Sequence, residues 1–345
     1  LAKGSQCLGG SVLSQVYQKL GQRPADFASP IIMKHFFELM RELHERSLAL
    51  AYHDRSDGGL ITTLLEMAFA SHCGLTIDIS PLGDKPIPIL FNEELGAVIQ
   101  INSDQLVTVQ AMLQNHQLLN HAHVIGTPNT SNKIDIQHHG KCYYQASRVD
   151  LQRTWSRLSY HMQARRDNPS CAEQAYDQIL NENDPGLTAK VTFDHNDDIT
   201  TPYVHTQPPR MAILREQGVN GHVEMAAAFD RAGFRCFDIH MSDLLHNPQQ
   251  LDDYQGLAVC GGFSFGDTLG AGRGWAQSIL RNALLKEQFQ RFFHRENTFT
   301  LGVCNGCQML SPLQRIIPGA DHWPTWITNQ SEQFEARLSL VHIPP

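Results

Sequence analysis

A cysteine flanked by glycines is the residue of this 345-residue sequence whose surroundings point most directly to chemistry. A short apolar run at residues 299–303 leads into Gly-Val-Cys-Asn-Gly at 302–306, and helical spacing follows. Glycines two residues either side of Cys304 permit the tight, strained turn that lifts a nucleophile out of a sheet. The helix N-terminus favours thiolate over thiol, and the Asn305 backbone N–H would help to bind an oxyanion. The pattern predicts a nucleophilic Cys304 at a strand-to-helix turn.

Other interpretations of this turn stay open. Cys304 and Cys307 form a Cys-x-x-Cys, which is typical of a redox pair or of half a zinc site. The sequence has no second such pair, which disfavours a four-cysteine zinc site, and it lacks the usual surroundings of a thioredoxin-like pair. Both cysteines could instead be core residues. For Cys307, which we expect to face into the helix, the core interpretation is favoured.

A second stretch ends an apolar run with two glycines. Residues 258–267 read Ala-Val-Cys-Gly-Gly-Phe-Ser-Phe-Gly-Asp. Because glycine lets a ligand approach the backbone closely, these amides suit an oxyanion, although a plain turn explains the pair equally well. Together with the cysteine turn, the stretch resembles the class I glutamine amidotransferases. The resemblance implies an oxyanion hole formed by the backbone of Gly262, Phe263 and Asn305.

The partners that such a cysteine needs are not found downstream of it. In that family a His-x-Glu pair after the nucleophile supplies the base and the residue that orients it. Only His322 and His342 follow Cys304, and each has a proline two positions later. His222 and Glu224 have the spacing but precede the cysteine, and on a helix residues two apart point to nearly opposite sides. We therefore expect the chain to end before the true partners and to lack a complete triad.

The first region contains a candidate phosphate-binding loop. Residues 53–60 read His-Asp-Arg-Ser-Asp-Gly-Gly-Leu, after a short apolar run and at the start of a predicted helix. Asp54 offers a hard oxygen ligand suited to Mg²⁺, and Ser56 with the glycine amides would hold phosphate oxygens. Taken alone, the octapeptide is better explained as a helix cap by Ser56 or Asp57.

Two further stretches change that balance. Residues 1–4 lead into Leu-Gly-Gly-Ser at 8–11, ahead of a predicted helix, and residues 91–96 place paired carboxylates before an apolar strand. In this order the three stretches resemble the C-terminal half-domain of the aminoimidazole-ribonucleotide-synthetase superfamily. Members of that superfamily bind ATP and activate amide oxygens by phosphorylation.

The resemblance also implies roles by position. Asp54 corresponds to a Mg²⁺ ligand and Ser56 to an ATP contact. Glu93 and Glu94, the paired carboxylates, are interpreted as surface or interface charges without a firm role. ATP is implied as a substrate and Mg²⁺ as the cofactor that accompanies it.

The predicted helices and strands follow two different orders along the sequence. Residues 1–149 mingle helices with strands, which predicts an α+β domain. Residues 150–209 are polar and turn-rich apart from one helix, and are interpreted as a connector. Residues 210–345 alternate strands with helices, which predicts a parallel sheet covered on both faces, and the resemblance makes it an incomplete, flavodoxin-like class I glutaminase domain. The predicted helices are Ser11–Leu20, Ile32–Arg46, Gly59–Ala70, Asp104–Asn115, Trp155–Arg166, Val223–Ala232, Trp275–Leu285 and Gln308–Ile316. The predicted strands are Leu75–Ile79, Gly96–Ile101, Ile134–Ala146, Met211–Leu214, Arg235–Ile239, Leu257–Cys260 and Phe299–Val303.

Composition limits the class of protein. Hydrophobic residues make up 41% and charged residues 18% of the chain, as in ordinary globular proteins. The formal net charge is −8 and no Lys/Arg cluster stands out, so nucleic-acid binding is not predicted. No apolar run approaches the roughly 20 residues that cross a bilayer, so no membrane association is predicted. Eight scattered cysteines are too sparse for a disulfide framework and predict a reducing, cytoplasmic location.

The whole chain resembles the large single-chain phosphoribosylformylglycinamidine synthases. Residues 214–226 are similar to the beginning of that family's glutaminase domain. The resemblance implies that Cys304 releases ammonia from glutamine, and that ATP and Mg²⁺ drive its addition to formylglycinamide ribonucleotide, giving formylglycinamidine ribonucleotide. It also implies an upstream synthetase region of the same chain as a partner, a monomer when complete, and an inactive isolated fragment. A stand-alone glutaminase or cysteine hydrolase, and an inert glutaminase-like binding module, are the alternatives.

Overall fold

The chain folds into two compact units. The computed structural model describes residues 4–26, 29–194, 196–198, 200–201, 207–247 and 250–339. One unit lies within Leu1–Thr188 and Gln330–Pro345, and the other within Ala189–Asn329. The first three residues of the glycine-rich lead-in, and His342, lie outside the described residues. Among the residues described, no helix has both the length and the apolar character needed to cross a membrane.

The first unit is α+β, as predicted. Its described helices are α1 (Val12–Val16), α2 (Pro30–Glu45), α3 (Gly59–Ser71), α4 (Pro86–Phe91), α5 (Leu106–Asn115), α6 (Arg148–Arg166) and α7 (Pro169–Asp177). Its strands are β1 (Ala51–Asp54), β2 (Gly74–Asp78), β3 (Ala97–Gln100), β4 (Gly126–Asn129), β5 (Lys133–His138) and β6 (Lys141–Ser147). β1 and β3 form an antiparallel pair, and a four-stranded sheet has the order β4-β2-β5-β6. In that sheet β2 and β5 are parallel, and the two outer pairs are antiparallel.

Two apolar clusters hold this unit together. In the first, one face of α3 packs on the four-stranded sheet, with buried Leu60, Leu64, Ala68, Ile77, Ile134 and Ile136. In the second, α2 packs on α5, with buried Leu39, Leu43, Val109 and Met112. Each such side chain contributes about 1.5–3 kcal/mol by leaving water. The loop before α3 is therefore held through α3, which packs on the four-stranded sheet.

The second unit is a parallel α/β sheet, as predicted. Its described helices are α8 (His222–Arg231), α9 (Met241–His246), α10 (Arg273–Leu280), α11 (Ala283–Phe293) and α12 (Asn305–Leu310). Its strands are β7 (Arg210–Arg215), β8 (Arg235–His240), β9 (Gly256–Val259) and β10 (Phe299–Gly302). The sheet has the order β10-β9-β7-β8, and all three strand pairs are parallel. The carboxyl ends of the strands therefore meet at one edge, where such sheets bind ligands.

Covering of both faces explains the apolar strands of this sheet. Residues 211–214 of β7 and 257–259 of β9 are fully buried, as expected for central parallel strands. Trp275 of α10 and Phe289 and Phe292 of α11 are also fully buried in the same core. The apolar runs in the sequence predicted these strands to within one residue at most of their ends.

The helices differ more from their predictions. The helix predicted at Ser11–Leu20 ends at Val16, because Gln18 takes a left-handed conformation with φ 56° and residues 15–20 stay exposed. The single helix predicted at Trp275–Leu285 is two, α10 and α11. Asn282 divides them, since its side chain accepts hydrogen bonds from the Leu284 and Leu285 N–H groups at 3.1 and 3.2 Å. That is the N-cap geometry that asparagine favours.

The polar stretch after residue 149 contains more helix than predicted. The helix predicted at Trp155–Arg166 is the last part of α6, and it ends at Arg166 as expected. α7 was not predicted; Asn168 caps it and Pro169 occupies its first turn. The boundaries at residues 149 and 209 stay predictions.

Candidate active site

The cysteine turn has the strained geometry that its glycines predict. Cys304 lies between the end of β10 and the start of α12, with φ 52° and ψ −111°. Positive φ is uncommon for a residue with a side chain, and it costs about 1–3 kcal/mol that the surrounding fold must supply. The side chain is exposed. The turn thus presents an accessible thiol on a backbone that the fold holds in place.

The two flanking glycines are required by close packing. A Cβ atom at Gly306 would collide with the Val259 carbonyl of the neighbouring strand. A Cβ atom at Gly302 would lie 2.7 Å from the Leu310 Cδ1 atom of α12. A larger residue at either position would push the helix away from the sheet and move Cys304. The Gly-x-Cys-x-Gly spacing therefore positions the thiol.

The glycine pair after β9 lies beside the cysteine. A Cβ atom at Gly261 would be 3.2 Å from the Cys304 Cβ atom and 4.0 Å from its Sγ atom. Gly262 has φ 150°, and a Cβ atom there would lie 2.6 Å from the Val219 Cα atom. The structure thus brings the predicted glycine loop and the predicted nucleophile together, with tight packing at Gly261 and a contact with Val219 at Gly262 that only glycine allows.

The turn that follows β7 forms hydrogen bonds with the glycine loop, and we call this set of contacts the clasp. Gly262 and Val219 form an isolated antiparallel bridge. The Phe263 N–H donates to the Gly218 carbonyl at 2.9 Å, and the Phe265 N–H donates to the Gln217 carbonyl at 2.9 Å. The Phe263 amide, predicted to line the oxyanion hole, is thus occupied by the clasp. It would have to leave Gly218 before it could bind a substrate oxygen.

Asn305 joins the cysteine turn to the glycine loop. Its side chain is only 1% exposed. Its Oδ1 atom accepts from the Ser264 N–H at 3.3 Å, and its Nδ2 atom donates to Gln308 Oε1 at 3.2 Å and to Asp267 Oδ1 at 3.4 Å. Its backbone N–H is the first of α12 and cannot bond within that helix. The helix therefore leaves this predicted oxyanion donor without a partner of its own, unlike the Phe263 amide, which donates to Gly218.

The two buried or half-buried cysteines of this region differ chemically from Cys304. The Cys307 thiol donates to the Gly302 carbonyl at 3.0 Å, and burial raises its pKa. Burial, followed by the nearby Asp238 carboxylate, raises the pKa of Cys260 to about 12. Both groups therefore stay protonated at neutral pH, and Cys304 is the exposed thiol of the three.

No base is in hydrogen-bond contact with that thiol among the described residues. His222 and Glu224 lie in the first turn of α8, so the helical placement predicted for them is confirmed. The Nδ1 atom of His222 is buried without a hydrogen-bond partner. His322 is exposed. The geometry supplies a nucleophile position and an amide donor, and the general base has no assignment here.

A charged cluster at the same sheet edge was not predicted. Arg215, the last residue of β7, pairs with Asp238 of β8 at 2.7 Å. The hydrogen bond from Arg215 lowers the pKa of the Asp238 carboxyl, although burial opposes the shift. Glu216 lies 3.7 Å from His240, the last residue of β8. Charged residues at the carboxyl ends of parallel strands were the available signal, since those positions share one edge.

In the first unit, one carboxylate connects the predicted stretches. The Glu93 Oε1 atom accepts from the Gly58 N–H at 2.9 Å and from the Val12 N–H at 2.8 Å. Glu94 is only 2% exposed, and its Oε1 atom accepts from the Cys7 N–H at 2.9 Å. The interpretation of Glu94 as a surface or interface charge was therefore wrong, whereas Glu93 is half-buried. Both carboxylates hold loop amides that would otherwise lack partners.

The loop before α3 presents polar groups to solvent. Asp54 ends β1, and Asp54 and Ser56 are exposed. The helix begins after Gly58, which has φ 81°, and no side chain caps it. The capping alternative for Ser56 and Asp57 is therefore wrong. The Tyr52 hydroxyl donates to Asp54, and burial and then this bond raise the pKa of Tyr52 to about 12.

Two family models match the chain. Residues 1–139 match the C-terminal domain of AIR synthase related proteins, and residues 208–345 match the CobB/CobQ-like glutamine amidotransferase domain. These matches cover the predicted synthetase-type region and the predicted glutaminase region.

Solved structures from Thermotoga maritima are more distant. PurL complexed with ATP is 15% identical with a TM-score of 0.33, over 36% of this chain and 22% of that one. PurL complexed with FGAR is 16% identical with a TM-score of 0.32, over 38% of this chain and 22% of that one. Phosphoribosylformylglycinamidine synthase II is 16% identical with a TM-score of 0.32, over 35% of this chain and 21% of that one. The matched region is about a fifth of the length of these solved chains. This chain thus joins a region that matches an AIR synthase related C-terminal domain to a region that matches a CobB/CobQ-like glutamine amidotransferase domain.

Proposed function

We propose that this chain carries the glutaminase nucleophile and part of the synthetase site of a phosphoribosylformylglycinamidine synthase. In the proposed reaction glutamine, ATP, water and formylglycinamide ribonucleotide give glutamate, ADP, phosphate and formylglycinamidine ribonucleotide. The observation that carries the proposal is the exposed Cys304 on a strained turn between β10 and α12. The match to a glutamine amidotransferase domain over residues 208–345 supports it.

Cys304 attacks the carboxamide carbon of glutamine, and the C–N bond breaks. The products are a glutamyl thioester, which water hydrolyses to glutamate, and ammonia. Negative charge develops on the carbonyl oxygen, and the Asn305 N–H is placed to stabilise it. Gly262 and Phe263 form the other side of the proposed oxyanion hole. The Phe263 N–H becomes a second donor once it has left the Gly218 carbonyl. A buried Asn305 side chain keeps the two parts of this oxyanion hole in register.

The first unit contributes to the ATP-dependent half of the reaction. Phosphorylation makes the glycinamide carbonyl oxygen of formylglycinamide ribonucleotide a leaving group, which ammonia displaces while the formyl group stays unchanged. Ser56 lies on an exposed loop, where its hydroxyl suits a phosphate oxygen, whereas the Gly58 and Gly59 amides already donate to Glu93 and to the Ser56 carbonyl. The loop keeps its shape because Glu93 binds its Gly58 amide.

Mg²⁺ fits this loop only together with nucleotide phosphates. Among the described residues, no group of three or more His, Cys, Asp or Glu side chains is arranged to hold a metal. Asp54 offers one exposed carboxylate, and Mg²⁺ is commonly bound through one or two carboxylates plus substrate phosphates. When bound, the ion would neutralise charge on the transferred phosphoryl group. Asp54 would hold and orient it.

The test separates the glutaminase from its alternatives. Cys304→Ala is made in the intact protein, and synthesis is measured with glutamine or with ammonium salts as the nitrogen source. We expect loss of glutamine-dependent synthesis and retention of ammonia-dependent synthesis. Cys142→Ala, which changes an exposed thiol elsewhere, is the matched control and should alter neither rate.

The other outcomes favour the alternatives. Unchanged synthesis from both nitrogen sources would favour an inert glutaminase-like module. Glutamine hydrolysis that depends on Cys304 in a protein with no synthesis from either source would favour a stand-alone glutaminase or cysteine hydrolase.

A further inference from the structure

The second cysteine of the turn has a fixed relation to the first. Cys304 is the N-cap of α12, and Cys307 is the third residue of that helix. The Gln308 N–H donates to the Cys304 carbonyl at 3.2 Å, so Cys304 closes the first helical turn. The two residues are near neighbours in space, because the Cys304 backbone N–H and the Cys304 thiol both act on the Cys307 sulfur. A cysteine at the N-cap with another at the third helical position is the spacing of a Cys-x-x-Cys pair, which disulfides commonly bridge.

The two thiols differ in exposure. Cys304 is exposed, whereas Cys307 is half-buried and donates to the Gly302 carbonyl at 3.0 Å. A diffusing oxidant therefore reacts with Cys304 first, while Cys307 remains a thiol. Burial is the main cause that raises the pKa of Cys307; the backbone N–H of Cys304 opposes the shift, and the charge of the Cys304 thiolate adds to it. An exposed attacking cysteine with a protected neighbour is the arrangement of a reversible thiol pair.

We propose that Cys304 and Cys307 form a peroxide-responsive pair in which Cys307 is the resolving residue. The Cys304 sulfur attacks hydrogen peroxide, the O–O bond breaks, and a sulfenic acid and water form. The Cys307 sulfur then attacks the Cys304 sulfur, the S–O bond breaks, and a disulfide and a second water form. In total one peroxide is reduced and two thiols are oxidised. A dithiol reverses the reaction by thiol–disulfide exchange.

The pair would protect the turn from irreversible damage. A sulfenic acid with no neighbouring thiol is oxidised further to sulfinic and sulfonic acids, which a dithiol does not restore. To react, the Cys307 thiol gives up its weak hydrogen bond to Gly302 and its proton, which leaves with the sulfenic oxygen as water. The thiol chemistry goes beyond the proposed function and does not depend on it. Its consequence, a reversible stop of ammonia release, does rest on the proposed function.

The experiment reads thiol chemistry and not activity. The purified full chain is treated with hydrogen peroxide, free thiols are alkylated, and trypsin then gives one peptide, residues 296–315, that contains both cysteines. We expect this peptide to lose two hydrogens and to escape alkylation until dithiothreitol is added. In Cys307→Ser, whose hydroxyl keeps a donor for the Gly302 carbonyl, Cys304 should instead gain two or three oxygens irreversibly.

A matched variant makes the result specific. Cys142→Ser removes an exposed cysteine of the first unit and should leave the disulfide yield unchanged. Equal irreversible oxidation of Cys304 in the wild-type chain and in Cys307→Ser would overturn the proposal. A disulfide in a protein whose Cys304→Ala variant keeps glutamine-dependent synthesis would refute the proposed function and leave the thiol pair standing.

Discussion

The two units position their candidate groups in different ways. In the second unit, backbone packing fixes the position of the candidate thiol. Cys304 has a strained φ, and Gly306 fits against Val259 only because it lacks a side chain. In the first unit, a charged side chain fixes the position of the loop, because Glu93 binds the amide of Gly58 while the polar side chains of the loop face solvent. Covalent catalysis needs one atom at one place, whereas phosphate binding needs several donors that close around a ligand. The difference in construction matches the difference in proposed chemistry.

The largest expected effect comes from adding a side chain at Gly218, within the clasp of the second unit. A Cβ atom at Gly218, with φ 88°, would collide with the Phe263 carbonyl. At Gly233, with φ 86°, nothing lies within 4 Å. Gly218→Ala should lower the free energy of unfolding by about 1–3 kcal/mol more than Gly233→Ala, since both share the same backbone penalty. Urea unfolding with hydrogen exchange over residues 256–265 measures the difference. Equal losses would mean that the clasp does not hold the glycine loop.

A smaller effect is expected from the charge in the first unit. Glu93→Gln keeps the shape and one acceptor oxygen but removes the charge that two amides share. The free energy of unfolding should fall by about 1 kcal/mol, the difference between charged and neutral hydrogen bonds. Glu45→Gln, which breaks an exposed pair with Arg41, is the control and should cost about 0.5 kcal/mol or less. Exchange of the Gly58 and Val12 amides should quicken only in the first variant. Unchanged exchange of these amides in Glu93→Gln would show that the charge of Glu93 does not hold the loop.

The smallest effect concerns the charged edge of the second sheet. The bond with Arg215 lowers the pKa of Asp238 below its usual 3.8. The carboxylate therefore stabilises the fold above about pH 4, and this contribution is lost as pH falls through the lowered pKa. With the side chain 51% exposed, solvent screening keeps the effect below about 1 kcal/mol.

Asp238→Asn removes this pH dependence. The gap in unfolding free energy between wild type and variant should shrink as the pH falls from about 6 to 3. Asp253→Asn, at an exposed carboxylate with no ion pair among the described residues, is the control. A gap that stays constant would show that the Arg215 pair does not stabilise the sheet edge.

The sequence was most informative where one local constraint dominates. The apolar run of β7 could be predicted because central parallel strands tolerate little else. The turn at Cys304 could be predicted because its two glycines permit the close packing that a strained nucleophile needs. The break at Asn282 was missed, because its side chain competes with the helix through a cap that periodicity does not register.

The parts that could not be predicted depend on partners distant in the chain. Glu94 accepts from an amide 87 residues earlier, and carboxylates are seldom buried without such a partner. The Phe263 amide donates to Gly218, which lies on a different loop. No pattern near either residue indicates these bonds. The glycine loop was thus predicted correctly to lie beside Cys304, and the engagement of the Phe263 amide became visible only in the fold.

Covalent trapping of the nucleophile tests the central claim most directly. The full chain is treated with a glutamine analogue that carries a reactive ketone, and labelled cysteines are identified by peptide mapping. The account predicts a label on Cys304, protection by glutamine, and no label on half-buried Cys307 or on exposed Cys142. Label on Cys142 to the same extent as on Cys304, without protection by glutamine, would contradict the assignment of Cys304 as a glutaminase nucleophile.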